Sequence, residues 1–319
     1  MKTNKDLLSV ITFIMLFTAS FSQAQNTPTT KPPTVDISGY NFIIANDLGR
    51  NGYWDQKTVA TAMGDWAEKA DIEFVAAAGD IHHFNGVASV NDPLWMTNYE
   101  LIYSNPSLML DWYPICGNHE YRGNTQAVLD YSKISRRWVM PAKYYTMVKK
   151  VDKKTSIRLV FVDTTPMIDK YRKDSVTYPD AHKQNYIAQL QFIDSVLSAS
   201  TETWKIVIGH HPIHTYTTKD ESERKDMQQR LDPILRKNKV DFYVCGHIHN
   251  FQHIKQVDSP VDYIVNSSAS GGRPVKNIEG TQFSSAKSGF ALCSAVDNKL
   301  TISFLNTTGE PIYTFSKVK

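Results

Sequence analysis

Three kinds of feature are scarce in this chain of 319 residues, and each scarcity excludes something. Cysteine occurs three times, at Cys116, Cys245 and Cys293. An odd count cannot pair fully within one chain, so a disulfide framework is not what holds the fold together. Each cysteine ends or lies within an apolar run, and small buried strand residues are the expected reading, with a Cys116–Cys245 bridge as the alternative. Charge of one sign is also scarce. Lys and Arg number 35 against 32 Asp and Glu, a formal net charge of +3, with no basic stripe of the kind nucleic-acid binders carry. Long apolar runs are missing after residue 21, which argues against a membrane span in the mature chain.

The one long apolar run is residues 7–21. It follows Lys2 and Lys5, and Ser22 and Ala24 supply the small residues of a signal-peptidase site. It is shorter than the roughly 20 residues that a spanning helix needs. Residues 1–24 are therefore expected to be a cleaved signal peptide, and the protein to be exported, periplasmic or secreted. Residues 25–37, opening with QNTPTTKPPT, are expected to be a flexible tether. Residues 38–319 are expected to be one domain.

Within that domain, short apolar runs alternate with helical patterns. YNFIIA (40–45), IEFVAAA (72–78), WYPIC (112–116), WKIVI (204–208) and DFYVC (241–245) have the length and β-branched content of buried strands. YYTMV and IRLVFVD look like a strand pair. Helices are expected over 55–70, opened by Asp55 as a cap, near 93–104, over 125–134, over 184–199 with a partly polar stripe, and over 223–238 as a charged helix. After residue 250 the helical pattern stops, and DYIVNSSA, GFALCSAV, LTISFLN and PIYTFSK are strands separated by turn residues. The pattern predicts an α/β domain with two mixed sheets and helices outside.

Chemistry gathers at one place in this pattern, directly behind the strands. The run at 40–45 is followed by NDLG, with Asp47. The next runs are followed by GDIHH, with Asp80, His82 and His83, and by GNHE, with Asn118, His119 and Glu120. GHHP carries His210 and His211, and GHIH carries His247 and His249. An Asp behind a strand is by itself usually a turn residue, and a lone GNHE is usually a turn. Five such groups together are different, because the carboxyl ends of strands in an open α/β sheet line its ligand crevice. Carboxylate, amide and imidazole ligands suit borderline-to-hard metals. Two ions sharing a carboxylate would clamp both oxygens of a phosphoryl displacement.

With these motifs, and with FNGV (84–87), YSKISRRW (131–138) and CGHIHN (245–250), the chain resembles the calcineurin-like metallophosphoesterases. Within them it is most similar to the small, tartrate-resistant type of purple acid phosphatase, over nearly all of 40–319. The resemblance implies a four-layer αββα fold and hydrolysis of phosphomonoesters by a metal-bound hydroxide. It implies Asp47, Asp80 and His249 on a first metal, Asp80 as the bridge, and Asn118, His210 and His247 on a second. His119 would face the substrate as the catalytic acid. The purple enzymes carry a ferric-binding Tyr three residues after the bridging Asp. Here that residue is His83, expected to be a ligand itself, with an outer hydrogen-bonding place as the alternative and His82 as the bystander. Other relatives take a His two residues after the first Asp, where this chain has Gly49. Exchanging an anionic phenolate for a neutral imidazole removes one negative charge, which favours two divalent ions, drawn from Fe, Mn or Zn, and a colourless protein with a pH optimum nearer neutral.

His211 and His214 are candidate substrate contacts on the loop after His210, with ordinary exposed loop residues as the alternative. Lys219 stands near the place where the family has a substrate-contacting His. Glu120 is expected to make a structural hydrogen bond. The substrate is expected to be a small-molecule phosphoester. A phosphodiesterase or nucleotidase on the same metals, or a non-catalytic binding module, are the rival functions.

Overall fold

The computed structural model describes residues 33–319; the expected signal peptide and most of the expected tether lie outside the described residues. The order is β1 (Tyr40–Ala45), α1 (Gln56–Ala70), β2 (Ile72–Ala78), β3 (Asp111–Ile115), α2 (Thr125–Asp130), β4 (Tyr145–Lys150), β5 (Ser156–Phe161), α3 (Asp169–Lys173), α4 (Tyr186–Ser198) and β6 (Trp204–Ile208). Then come α5 (Glu221–Arg230), α6 (Asp232–Lys237), β7 (Phe242–Cys245), β8 (Phe251–Lys255), β9 (Asp262–Asn266), β10 (Thr281–Ser285), β11 (Gly289–Val296), β12 (Lys299–Asn306) and β13 (Pro311–Val318).

Two mixed sheets result, in the orders β13-β12-β11-β1-β2-β3 and β10-β8-β9-β7-β6-β5-β4. The alternating half of the chain supplies the parallel parts: β1, β2 and β3 in one sheet, β5, β6 and β7 in the other. These strands are buried along nearly their whole length. Burial on both faces explains why they read as continuous apolar runs rather than alternating ones. The strand-rich tail completes both sheets, joining the first by antiparallel pairing of β11 with β1 and the second by parallel pairing of β9 with β7, and extends them through antiparallel pairs. The inner faces meet through aromatic pairs such as Phe251 with Phe304, 4.7 Å apart, and Tyr145 donates from its hydroxyl to the Pro114 carbonyl across the interface. Helix α1 covers the outer face of the first sheet with Val59, Met63, Ala67 and Ala70 buried.

Four local expectations change. Asp55 precedes α1 without capping it, because its carboxylate accepts from the Ser288 hydroxyl. The helix expected near 93–104 is a single π-helical turn, Met96–Glu100, held in an aromatic nest where Trp95 stacks on Tyr131 at 3.5 Å. The charged helix over 223–238 is two helices, since Pro233 lacks the N–H that a continuous helix needs and instead opens α6. The tail also holds two strands beyond those expected, β8 and β10. The three cysteines are buried and free, with no Cys116–Cys245 bridge. Among the described residues no helix is long and apolar enough to cross a membrane.

Candidate metal centre

Because β1, β2 and β3 run parallel, as do β5, β6 and β7, their carboxyl ends share one edge of the sandwich. The side chains just beyond those ends converge there. Asp80 sits at the centre: its Oδ2 lies 3.0 Å from His210 Nε2, 3.6 Å from His83 Nε2 and 3.8 Å from His119 Nε2. Asp47 Oδ1 lies 3.0 Å from His249 Nε2 and 3.9 Å from His83 Nε2. Asp47 Oδ2 accepts from the backbone N–H of His247 at 2.8 Å. Asp47, Asp80, His83, His210, His247 and His249 are all buried.

Backbone geometry makes this convergence possible. Asp47, Asp80, His247 and His249 all adopt positive φ, between 51° and 73°, a strained state that persists where the surroundings over-determine it. The turn after Cys245 separates His247 and His249 from strand alternation and brings both rings to the cluster. A Cβ at Gly246 would come within 2.5 Å of Asp47 Oδ2, so the residue before the His-x-His pair must be glycine.

The hydrogen bonds fix which ring nitrogen faces inward. Nδ1 of His83, His210, His249 and His119 lies against the backbone carbonyl of Gly49 (3.1 Å), Ala78 (2.9 Å), Gly271 (3.1 Å) and Phe84 (2.5 Å) respectively. An Nδ1–H donated to a carbonyl leaves the Nε2 lone pair free for a metal. His247 is turned the other way: its Nε2 meets Glu223 Oε2 at 2.8 Å, leaving Nδ1. Lys219 lies against the same ring, Nζ being 3.2 Å from Nδ1 and 2.9 Å from the His247 carbonyl.

Charge follows from the packing. Burial opposes ionisation of Asp80, yet His210 above all holds its carboxyl well below the usual range. Burial also opposes protonation of His210, but the Asp80 and Asp47 carboxylates raise it to about 9, so without a metal its Nε2 carries a proton toward Asp80 that a cation would displace. His83 is pushed well below its ordinary value by burial and is neutral, as a metal ligand must be. Glu120, raised to about 7 by burial and by Asp80, accepts from the backbone N–H groups of Asp80, His82 and Gly117. It is a brace for two of the turns.

The test of whether metals fit is the set of buried polar atoms with no hydrogen-bond partner. Asp47 Oδ1, His83 Nε2, Asn118 Oδ1 and His210 Nε2 are among them. Unpaired buried polar atoms are costly; Asp47, His83 and His210 belong to one cluster of carboxylate and imidazole groups, and Asn118 lines the adjoining cavity with His119 and His247. A divalent cation satisfies such atoms together, and sets of three ligand atoms lie within 4.8 Å of one another at Asp47, His83 and His249 and at Asp47, Asp80 and His210.

Gly49 clarifies His83. A Cβ at residue 49 would fall 1.9 Å from the Ile81 carbonyl oxygen, so no imidazole can enter from that position. His83 enters from the neighbouring turn instead. His82 points away, edge-on to Trp95 at 4.4 Å, and lies near Asn98. His211 is wholly buried, its Nδ1 2.8 Å from Thr164 Oγ1 and its ring 4.3 Å from that of His247, and it offers a ligand atom within 4.8 Å of those of His210 and His247. It is neither an exposed loop residue nor within a substrate's reach. His214 is not brought to the cluster; it packs on Tyr263 and faces Asp232 at 3.4 Å. Sequence reading missed Glu223, which looked like one charge on a solvated helix, and Arg50, Arg122 and Arg273, single arginines in loops.

A two-sheet αββα sandwich with buried Asp, Asn and His groups at its strand ends defines a metal-dependent phosphoester hydrolase. Residues 40–251 match the model of the calcineurin-like phosphoesterase family, and the chain belongs to that family. It is similar to Purple acid phosphatase 3 of Arabidopsis thaliana, 33% identical over 97% of this chain and 85% of that protein. It is also similar to human Tartrate-resistant acid phosphatase type 5, 26% identical over 76% of this chain and 78% of that one. Among solved structures, GAP50, the anchor in the inner membrane complex of Plasmodium, superposes with a TM-score of 0.75 at 22% identity, covering 88% of this chain and 89% of that one. That last likeness concerns the fold alone.

Proposed function

We propose that this protein is an exported phosphomonoesterase with a two-metal centre. Asp47, His83 and His249 hold the first ion, Asn118, His210 and His247 the second, and Asp80 bridges them. The observation that carries this reading is the convergence of unpartnered buried atoms with imidazoles whose outer nitrogens are already bonded to backbone carbonyls. With two carboxylates and no phenolate in the set, a divalent pair of Fe, Mn or Zn is favoured.

When bound, the metals neutralise the phosphate oxygens and activate water. The chain supplies the remaining parts. His119 is the partly accessible imidazole of the group, its side chain 14% exposed. With Nδ1 anchored to Phe84, its protonated form presents Nε2–H to a leaving oxygen. Asp80 Oδ1 accepts the His119 backbone N–H at 2.9 Å, which ties the acid to the bridge. A cavity of about 320 Å³ opens over the second site, with Arg122 and Lys219 in its wall. These cations favour a monoester dianion over a diester monoanion.

The testing experiment compares an aryl phosphate monoester with its bis-ester on protein reconstituted separately with iron, manganese and zinc, across pH. Faster monoester cleavage supports the reading. Faster bis-ester cleavage replaces it with a phosphodiesterase, and a metal-loaded protein inert toward both would reduce it to a binding module.

A further inference from the structure

A second cavity, about 200 Å³, adjoins the first metal position. Arg50, Trp54, His249, Gly271 and Arg273 are in its wall. Arg273 also lines the cavity over the second site, so it stands between the two. Neither Arg50 nor Arg273 has a carboxylate within 4 Å among the described residues, whereas Arg137, Arg158, Arg230 and Arg236 elsewhere are all paired with one.

The Arg50 guanidinium is held in place, and Arg273 is anchored through its backbone. The Arg50 guanidinium lies 5.3 Å from the ring centre of Trp54 and 4.8 Å from that of Phe84, two rings that are 67% and 56% exposed. Stacking on aromatic faces holds an arginine without consuming its hydrogen-bond donors. The Arg273 backbone is pinned by its N–H to the His249 carbonyl at 2.7 Å, the carbonyl of a proposed metal ligand. Burial lowers Arg50, and the repulsion of Arg273 adds to this against the attraction of the more distant Asp47 and Asp80 carboxylates. Two arginines in one cavity with no carboxylate in contact leave their donors open to an anion that comes between them. Guanidinium forks match phosphate oxygens bidentately. The floor is open as well, because a Cβ at Gly271 would meet nothing within 4 Å.

We propose that Arg50 and Arg273 form a second anion subsite beside the metal centre, so that preferred substrates are phosphoesters carrying a second phosphoryl group. This rests on the phosphomonoesterase reading above. The scissile phosphate lies at the metals and the second phosphate between the two guanidinium groups.

The test uses matched pairs on the metal-loaded protein: fructose 1,6-bisphosphate against fructose 6-phosphate, and ADP against AMP. The first pair reports a bisphosphate, the second an anhydride. In the wild type the kcat/KM ratio within at least one pair should favour the doubly phosphorylated member by about tenfold or more, the scale of a charge-assisted contact. Arg273→Ala and, separately, Arg50→Gln should collapse that ratio toward one, and Arg273→Lys should restore part of it. Calorimetry supplies a readout without turnover: propane-1,3-diphosphonate should bind more tightly than methylphosphonate, and Arg273→Ala should erase the difference. Monoester turnover with a ratio near one in both pairs, or a ratio untouched by both substitutions, overturns the subsite and leaves the phosphatase reading standing. Arg273-dependent diphosphonate binding in a protein inert toward all phosphoesters supports the subsite and overturns the phosphatase reading.

Discussion

Glu223 gives the sharpest prediction about the second metal position. Its Oε2 meets His247 Nε2 at 2.8 Å, while its Oε1 accepts from Lys170 Nζ at 2.6 Å and from the Tyr171 hydroxyl at 3.0 Å. The carboxylate holds the His247 proton on Nε2, so the Nδ1 lone pair faces Lys219 Nζ, 3.2 Å away, where a metal would displace the ammonium. In Glu223→Gln the amide oxygen must stay with the two donors, Lys170 and Tyr171. Its NH2 then faces His247 Nε2, and relieving that donor–donor clash by moving the ring proton to Nδ1 sets the proton against Lys219 Nζ. That removes the lone pair a metal would use. Losing an orienting partner of this kind costs about 10- to 100-fold in metal affinity, or about 1.4–2.7 kcal/mol. Calorimetric titration of the metal-free protein with zinc or manganese should show two binding steps, of which only one weakens in the variant. Two steps both within about twofold of wild type would refute the tautomer argument. Equal weakening of both would mean that Glu223 supports the fold rather than one site.

Further outcomes follow from other contacts. Iron-loaded wild type should lack a strong visible band, and His83→Tyr should gain one; a strong phenolate-to-iron band in the wild type would overturn the role of His83. His119→Ala should lower turnover by about 10²- to 10⁴-fold with metal content preserved by elemental analysis, and unchanged turnover would remove its role as the acid. Far from the site, Asp262 accepts from His253 (3.0 Å), Lys255 (2.9 Å) and Lys317 (2.8 Å), which hold its carboxyl below the usual range against burial. A depressed carboxyl contributes stability above its unfolded value of about 3.9 and loses it as pH falls from there through the folded value. Asp262→Asn should therefore cost about 1–3 kcal/mol at pH 7, with the gap to wild type closing below about pH 4 in denaturant melts; a gap constant with pH would show that packing, not charge, is at stake.

The parts of this protein legible in its sequence are those where one physical cause dominates. Strands β1, β2 and β6 coincide with apolar runs because both faces of each are buried. Asp47, Asp80, Asn118, His210, His247 and His249 stood out because parallel strands put their carboxyl ends together, and glycines such as Gly246 are needed where turns and carboxylates touch. What could not be read depends on distant partners. Strand β10 is TQFSS, with one apolar residue, and exists because it pairs with β8. Glu223 looked like any charge on a polar helix until Pro233 ended that helix and α5 turned one carboxylate toward a histidine 24 residues away. Arg50 and Arg273 are isolated in sequence and adjoin only through the two turns around His249.

The division of the ligands between the sheets bears on how the chain assembles. Asp47, Asp80, His83 and Asn118 follow strands of one sheet; His210, His247 and His249 follow strands of the other. The bond from the His247 N–H to Asp47 spans 200 residues. Ions at this edge would tie the first folded segment to one made two hundred residues later, closing a loop whose entropic cost grows only slowly, by about 0.6 kcal/mol per doubling of length. Contacts this remote form late in folding. Metal capture would then come after the two sheets have met, and a chain ending before His247 would lack a ligand of each proposed site.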